Sequence, residues 1–281
     1  MKTVVIPTRN DNYGMFLAER AMQCLNAMTS VFDEVIVVDW NSPHGLPMIE
    51  QIKNFIEPTG KIRSIVVPRD FVNSVVDSES QPCCSVLARN IGIRRAKGDW
   101  IVSSNIDIIP SAFSTDTLNQ NTMYAVQKYN VLENIHLTQL ISMSNQDKIN
   151  ALVAHKHLFE KMKRAEEVTP NDKYSLCIGC GDFQVAHKNV WERIRGFEES
   201  LVYRCFEDTN VLVKTAHQKD MNISLLDVDV FHLEHKNNPF FWKKDQATKR
   251  NVWSDAYEKY AFTKNTDGWG FADYPFEETV I

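Results

Sequence analysis

Glycine is scarce in this chain, 10 of 281 residues. That excludes Gly-rich linkers and collagen-like or low-complexity repeats. No apolar run approaches the roughly 18–20 residues needed to cross a bilayer. The first one, Val4-Val5-Ile6, stops at Pro7 and is too short for the core of a signal peptide. A basic surplus is missing as well: 31 Lys and Arg stand against 36 Asp and Glu, a net charge of −5. A general nucleic-acid binder carries the opposite balance. Cys177 and Cys180 form a lone CxxC without the second pair a structural zinc site needs. The six cysteines (Cys24, Cys83, Cys84, Cys177, Cys180 and Cys205) therefore read as buried or free thiols. These absences predict a soluble, cytoplasmic protein with no transmembrane segment and no nucleic-acid partner, with peripheral membrane association left open.

What is present is an ordinary globular balance, 43% hydrophobic and 24% charged, which argues against wholesale disorder. The length suits one large or two small domains. Residues 3–7 read as a buried strand closed by Pro7, and residues 14–29 carry apolar side chains at helical spacing. Glu34 to Asp39 is a second strand, and a helix carrying Ile49, Ile52, Phe55 and Ile56 follows it. Ile62 to Val67 is a third strand, ended by Pro68. This βαβαβ order predicts a parallel sheet with helical crossovers. Residues 68–84 read as an irregular connection, 85–96 as a helix and 100–104 as a fourth strand. Further on, 146–166 and 185–194 read as helical, and 225–233 alternates like a strand. The aromatics after residue 236 read as packing the tail onto the body.

In open α/β sheets, ligands bind beyond the carboxyl ends of the strands. Three polar clusters occupy such ends: Thr8-Arg9-Asn10, Asp39-Trp40-Asn41 and Asn105-Ile106-Asp107. Their convergence points to a nucleotide-sized ligand.

The run Ala88-Arg89-Asn90-Ile91-Gly92-Ile93, then Ala96-Lys97-Gly98-Asp99-Trp100-Ile101, then Asn105-Ile106-Asp107 carries the most information. It resembles the family 2 glycosyltransferases. Ile6-Pro7-Thr8 and Glu34 to Asp39 are similar to that family's opening strands. Gly181-Asp182-Phe183-Gln184, Arg195-Gly196-Phe197-Glu198-Glu199 and Glu207-Asp208 are similar to its acceptor half. The resemblance spans about residues 3–235 and implies the GT-A fold, an α/β class with a mostly parallel central sheet flanked by helices. The expected division is a domain over 1–235, with a nucleotide-sugar half (1–111) and an acceptor half (112–235). A C-terminal extension (236–281) packs on the same domain.

The resemblance implies transfer of a sugar from a nucleotide-sugar, a UDP-sugar, to a hydroxyl of a saccharide or glycoconjugate, with inversion. A departing nucleoside diphosphate builds up negative charge, which Mn²⁺ or Mg²⁺ held by carboxylate oxygens stabilises. Asp107 takes the place of the last Asp of the family's DxD, and Asn105 replaces the first. His232, and second His235, are the further metal candidates; on an extended strand, residues three apart face opposite ways, so one of the two is expected to reach the metal. Donor contacts fall on Pro7, Thr8, Arg9, Asp39, Asn41, Arg89 and Asn105. Asp39 is the base contact with Thr8 and Arg89 beside it, and Trp40 is a candidate for stacking. Asp208, with Glu207 beside it, is the expected base. Asp182 and Gln184 are the expected acceptor contacts. The alternatives are a sugar-phosphate nucleotidyltransferase, against which the absence of a Gly-rich basic loop near the N-terminus counts, and a catalytically weak sugar-nucleotide-binding protein, which Asn105 motivates.

Overall fold

The structure, a computed structural model, describes residues 1–76, 83–161, 181–201, 206–236 and 258–281. Cys177, Cys180, Cys205 and the aromatics Phe240, Phe241, Trp242, Trp253 and Tyr257 lie outside the described residues. The first elements follow the expected alternation: β1 (Lys2–Thr8), α1 (Leu17–Val31), β2 (Glu34–Trp40), α2 (Met48–Ile52) and β3 (Ile62–Val67). Strand β1 continues through Pro7 to Thr8. Its rungs with β2 reach Thr8↔Asp39, while those with the next neighbour stop at Val5↔Ser103. The proline thus sits where one flank is no longer laddered, a position that tolerates it.

Where the sequence reads as an irregular connection, a short helix α3 (Arg69–Val75) buries Phe71 and Val72 behind Pro68. Then come α4 (Ser85–Arg95), β4 (Trp100–Ser104) and β5 (Ile108–Pro110). The second half departs further from expectation. It contains β6 (Thr122–Val131), α5 (Glu133–Ile135), α6 (Asn145–Ala154) and β7 (Glu160–Lys161). After these lie β8 (Phe183–His187), α7 (Lys188–Ile194), α8 (Glu207–Ala216), β9 (Asn222–Leu233) and β10 (Glu277–Val280). The helix expected over 146–166 ends at Ala154, and Glu160 and Lys161 pair with β6 as a short strand; 162–166 lie outside the described residues. The helix expected over 185–194 begins only at Lys188. Residues 183–187 are instead claimed by the β4 edge, with Val102↔Val185 at the centre of the ladder. Short apolar runs do not distinguish strand from helix until a neighbour is present.

The sheet order is β10-β3-β2-β1-β4-β8-β6-β9-β5, with β7 on β6. Strands β3, β2, β1, β4, β6 and β9 run one way; β10, β8, β7 and β5 run the other. The carboxyl ends of β1, β2, β4, β6 and β9 therefore share one edge, and β8 begins at that edge. Alternation sorts the two faces. Val4, Ile6, Val35 and Val37 meet α1, α2 and α6, whereas Val5, Ile36, Val38 and Trp40 meet α4, α7 and α8. Helix α4 is buried along Val86–Ile93. Gly92 lets it lie against the sheet, since a Cβ there would fall 2.3 Å from Cγ1 of Val5. Asn90, one residue past Arg89, bonds in the opposite direction. Its Nδ2 donates to the Phe197 carbonyl (2.9 Å) and its Oδ1 accepts from the Phe197 N–H (2.8 Å). Two of the sequence motifs thus hold each other in place. The described tail residues pack on the same face through Trp269 and Phe276, and β10 pairs antiparallel with β3.

Candidate active site

Three groups of side chains gather at the shared edge. The first lies past β1 and β2. Asp39 is fully buried, and its Oδ2 accepts the Met48 N–H at 2.7 Å. Its Oδ1 and the Thr8 Oγ1 are both buried without a hydrogen-bond partner. Burial pushes the Asp39 carboxyl up, and the Met48 N–H opposes it. Arg9 Nε donates to the Asn41 carbonyl (3.0 Å), and Arg9 pairs with Asp11 at 3.2 Å. Asn41 holds the turn with φ 49°. Pro7 is buried within β1. The alternation of β2 sends Trp40 to the face opposite Asp39, where it packs with Ile36 and Val38 in the core under α4, so it does not stack on a base held at Asp39.

The second group is Asp107, His232 and His235, whose ligand atoms all lie within 4.8 Å of one another. Asp107 Oδ2 is 3.2 Å from Nε2 of His235 and 3.8 Å from Nε2 of His232. Both histidines reach the carboxylate, which corrects the expectation that only one would. Strand β9 ends at Leu233, so His235 leaves the extended path and the two-residue period no longer separates the rings. Burial alone would raise the Asp107 carboxyl, but His232, His235 and Arg20 outweigh it and hold the group well below the ordinary carboxylate range. Burial lowers His232, against the pull of Asp107, and favours the neutral imidazole a metal needs.

These residues fit a divalent cation. The Asp107 Oδ1 and His232 Nδ1 are buried with no partner. The 3.2 Å spacing of Asp107 and His235 is close to that of adjacent ligands, which lie about 3 Å apart at right angles on bonds of roughly 2.1 Å, and His232 stands farther off at 3.8 Å. One carboxylate with two imidazoles is a mixed oxygen and nitrogen donor set of the kind divalent transition-metal ions accept.

The third group is a polar chain from α4 to β6. Arg89 is buried and donates to Ser103 Oγ, to the Ser104 carbonyl (3.0 Å) and to Asn105 Oδ1. Asn105 Nδ2 donates to Asp182 Oδ1 at 2.7 Å, and Lys128 pairs with the other Asp182 oxygen. Arg89 therefore does not stand beside Asp39 as expected. It lies one turn into α4, over β4, and faces the carboxylates of Glu207, Asp182 and Asp208. The acidic pair, Glu207 and Asp208, opens helix α8. Asp208 is pushed up to about 6, chiefly by burial and then by Glu207 and Asp182, with the Thr209 N–H and Arg89 opposing. Gln184 is fully buried, and its Nε2 donates to the Asp208 carbonyl (2.9 Å), so its amide supports Asp208 instead of facing outward. Gly181 runs against Asp208 so closely that a Cβ would lie 2.0 Å from the Asp208 Cβ.

The groups are contiguous. The charge of Asp182 acts on both His232 and Asp208, which joins the second and third. The loop after β1 joins the first and second: the Tyr13 ring meets His235 edge-on at 5.0 Å, and Gly14 lies against the same imidazole. Sequence reasoning missed Lys128, Arg20 and His136. Lys128 sits in a strand whose alternation is broken by an irregularity between Val126 and Lys128, and nothing local marked it. Arg20 and His136 are buried polar residues, and only packing reveals them.

No protein-family profile matches the sequence, and a comparison with curated proteins gives no match. Solved structures do match. TarS of S. aureus (residues 1–349) is 15% identical, with TM-score 0.50, over 95% of this chain and 73% of that one. GalNAc-T7, solved with UDP, GalNAc and Mn²⁺, is 12% identical with TM-score 0.58. That match covers 92% of this chain and 49% of that one. With the sheet order above, they establish the fold as α/β of the GT-A type. Among the described residues, no helix is long and apolar enough to cross a membrane.

Proposed function

We propose that this chain is a glycosyltransferase, similar to family 2, which moves a sugar from a UDP-sugar to a hydroxyl of a saccharide or glycoconjugate with inversion and dependence on Mn²⁺. One observation carries the reading. Two buried side-chain oxygens at the ends of β1 and β2 (Thr8, Asp39), a cation-binding group (Asp107, His232, His235) and an acidic group with a raised carboxyl (Asp208) meet along one sheet edge. The GT-A fold, and a structural neighbour solved with UDP, GalNAc and Mn²⁺, agree with it.

In this reading Asp39 Oδ1 accepts the imide N–H of uracil and Thr8 bonds a neighbouring carbonyl. Arg9 and Asn41 border the same pocket. A bound cation would supply Lewis-acid stabilisation of the leaving diphosphate. Asp208 accepts the proton of the incoming hydroxyl as its oxygen bonds the anomeric carbon and the bond to the diphosphate breaks. A carboxyl poised near 6 suits that task at neutral pH. Asp182, held by Asn105 and Lys128, fixes the floor between the base and the metal group.

The test is a panel of nucleotide-sugars with Mn²⁺, read as donor binding and nucleotide release. Binding confined to UDP-sugars supports the proposal, and absence of donor binding across the panel overturns it. Pyrophosphate release from a nucleoside triphosphate would point to a nucleotidyltransferase. Binding with no turnover under any metal would point to a sugar-nucleotide-binding protein.

A further inference from the structure

His136 is fully buried at the start of the turn that follows α5, beneath the end of β9. Its Nε2 lies 2.9 Å from the carbonyl oxygen of Glu234. A carbonyl only accepts, so Nε2 carries the proton. Glu234 stands between the two histidines of the cation-binding group. Had the chain stayed extended there, His232 and His235 would have faced opposite sides of the sheet. The bend that brings them together is pinned at three points. Leu233 N–H donates to the Asp107 carbonyl (2.9 Å), Glu234 N–H donates to the Val131 carbonyl (2.9 Å), and Glu234 C=O accepts from His136. The first two are bonds any sequence makes. The third depends on a side chain.

We propose that His136 is a positioning residue: by holding the Glu234 carbonyl it sets where the His235 ring meets Asp107, and so sets the affinity of the Asp107–His232–His235 group for a divalent cation. This rests on the metal reading above. His136 touches neither substrate nor cation. It acts as outer hydrogen-bond partners of metal sites do, by restricting the directions a ligand can take.

The test measures Mn²⁺ binding by calorimetry and Mn²⁺ electron paramagnetic resonance on the full chain without nucleotide. His136→Phe removes the donor and keeps a ring. His136→Gln keeps an N–H at similar reach, and His136→Asn is polar but too short. The expected result is Mn²⁺ affinity weakened about 10–100-fold in His136→Phe, an altered resonance spectrum, and recovery of most of the loss in His136→Gln but not in His136→Asn. Wild-type affinity and spectrum in a folded His136→Phe overturn the proposal. Should that variant not fold, equal affinities for the Gln and Asn variants overturn it. If the unaltered protein shows no Mn²⁺ binding that Asp107→Ala abolishes, the metal reading itself fails and this inference falls with it. That result is distinct from intact binding that ignores residue 136.

Discussion

The side-chain amide of Asn105 donates to the Asp182 carboxylate over 2.7 Å. That bond ties the residue after β4 to the residue before β8, two chain segments 77 positions apart. It also fixes the Asn105 amide, whose oxygen is turned to Arg89. The amide serves both neighbours at once, accepting from Arg89 and donating to the Asp182 carboxylate, and an ionised carboxylate in its place would have no proton to donate to Asp182. The negative charge at this part of the edge resides on Asp182, where Lys128 balances it.

Asp208→Asn is expected to retain UDP-sugar binding and to lose transfer by about 10²–10⁴-fold, the usual range for removing a general base. Calorimetry and a transfer assay on the same preparation check it. Transfer at the normal rate in this variant would show that another group takes the proton.

Transfer should rise as pH increases through about 6, where Asp208 loses its proton, and level off above it. Stability should move the other way. The folded pKa lies above the unfolded value of 3.8, so the folded state binds the proton more tightly. The contribution of this group is fully present below the unfolded value and is lost as pH rises through the folded one. Denaturant titrations from pH 4 to 7 should show that decline, reduced in Asp208→Asn.

Asp107→Ala should abolish the rise in melting temperature that Mn²⁺ gives the unaltered protein. A ligand that binds only the folded state stabilises it in proportion to its occupancy. Thermal scans with and without Mn²⁺ measure this; an equal Mn²⁺-dependent rise in the variant would remove Asp107 from the metal group.

Asp39→Ala should weaken uridine binding by about 10–100-fold, from the loss of a buried hydrogen-bond acceptor worth about 1–3 kcal/mol. It also leaves the Met48 N–H unsatisfied, so a modest loss of stability accompanies it. Uridine, which lacks phosphates, separates this effect from any on the cation-binding group.

Gly92→Ala should destabilise without touching the site. The new methyl would lie 2.3 Å from Cγ1 of Val5 and 3.1 Å from Cγ2 of Val38. Overpacking of this kind costs about 1–3 kcal/mol, and a chain of this size loses about 2–4 °C per kcal/mol. A thermal melt with unchanged UDP affinity is the expected outcome.

The amino-acid sequence by itself determined the parallel half of the sheet, because β1 to β4 are buried on both faces and read as continuous apolar runs between proline and polar stops. It also determined which strand ends carry polar chemistry, since Thr8 closes β1, Asp39 is the last residue but one of β2, and Asn105 and Asp107 lie in the short link after β4. Tertiary structure alone decided the rest. The strand identity of Phe183–His187 came from pairing with β4, and the exclusion of Trp40 from the site came from the helices that cover its face. Arg89 was diverted to the acidic group because Ser103, Ser104 and Asn105, at the end of β4, take up its guanidinium. The meeting of His232 and His235 on Asp107 depended on a bend held by β6 and His136. Local sequence sets the period and the stops of a strand. Which side chains meet beyond its end depends on partners a hundred residues away, and no short stretch of chain encodes those.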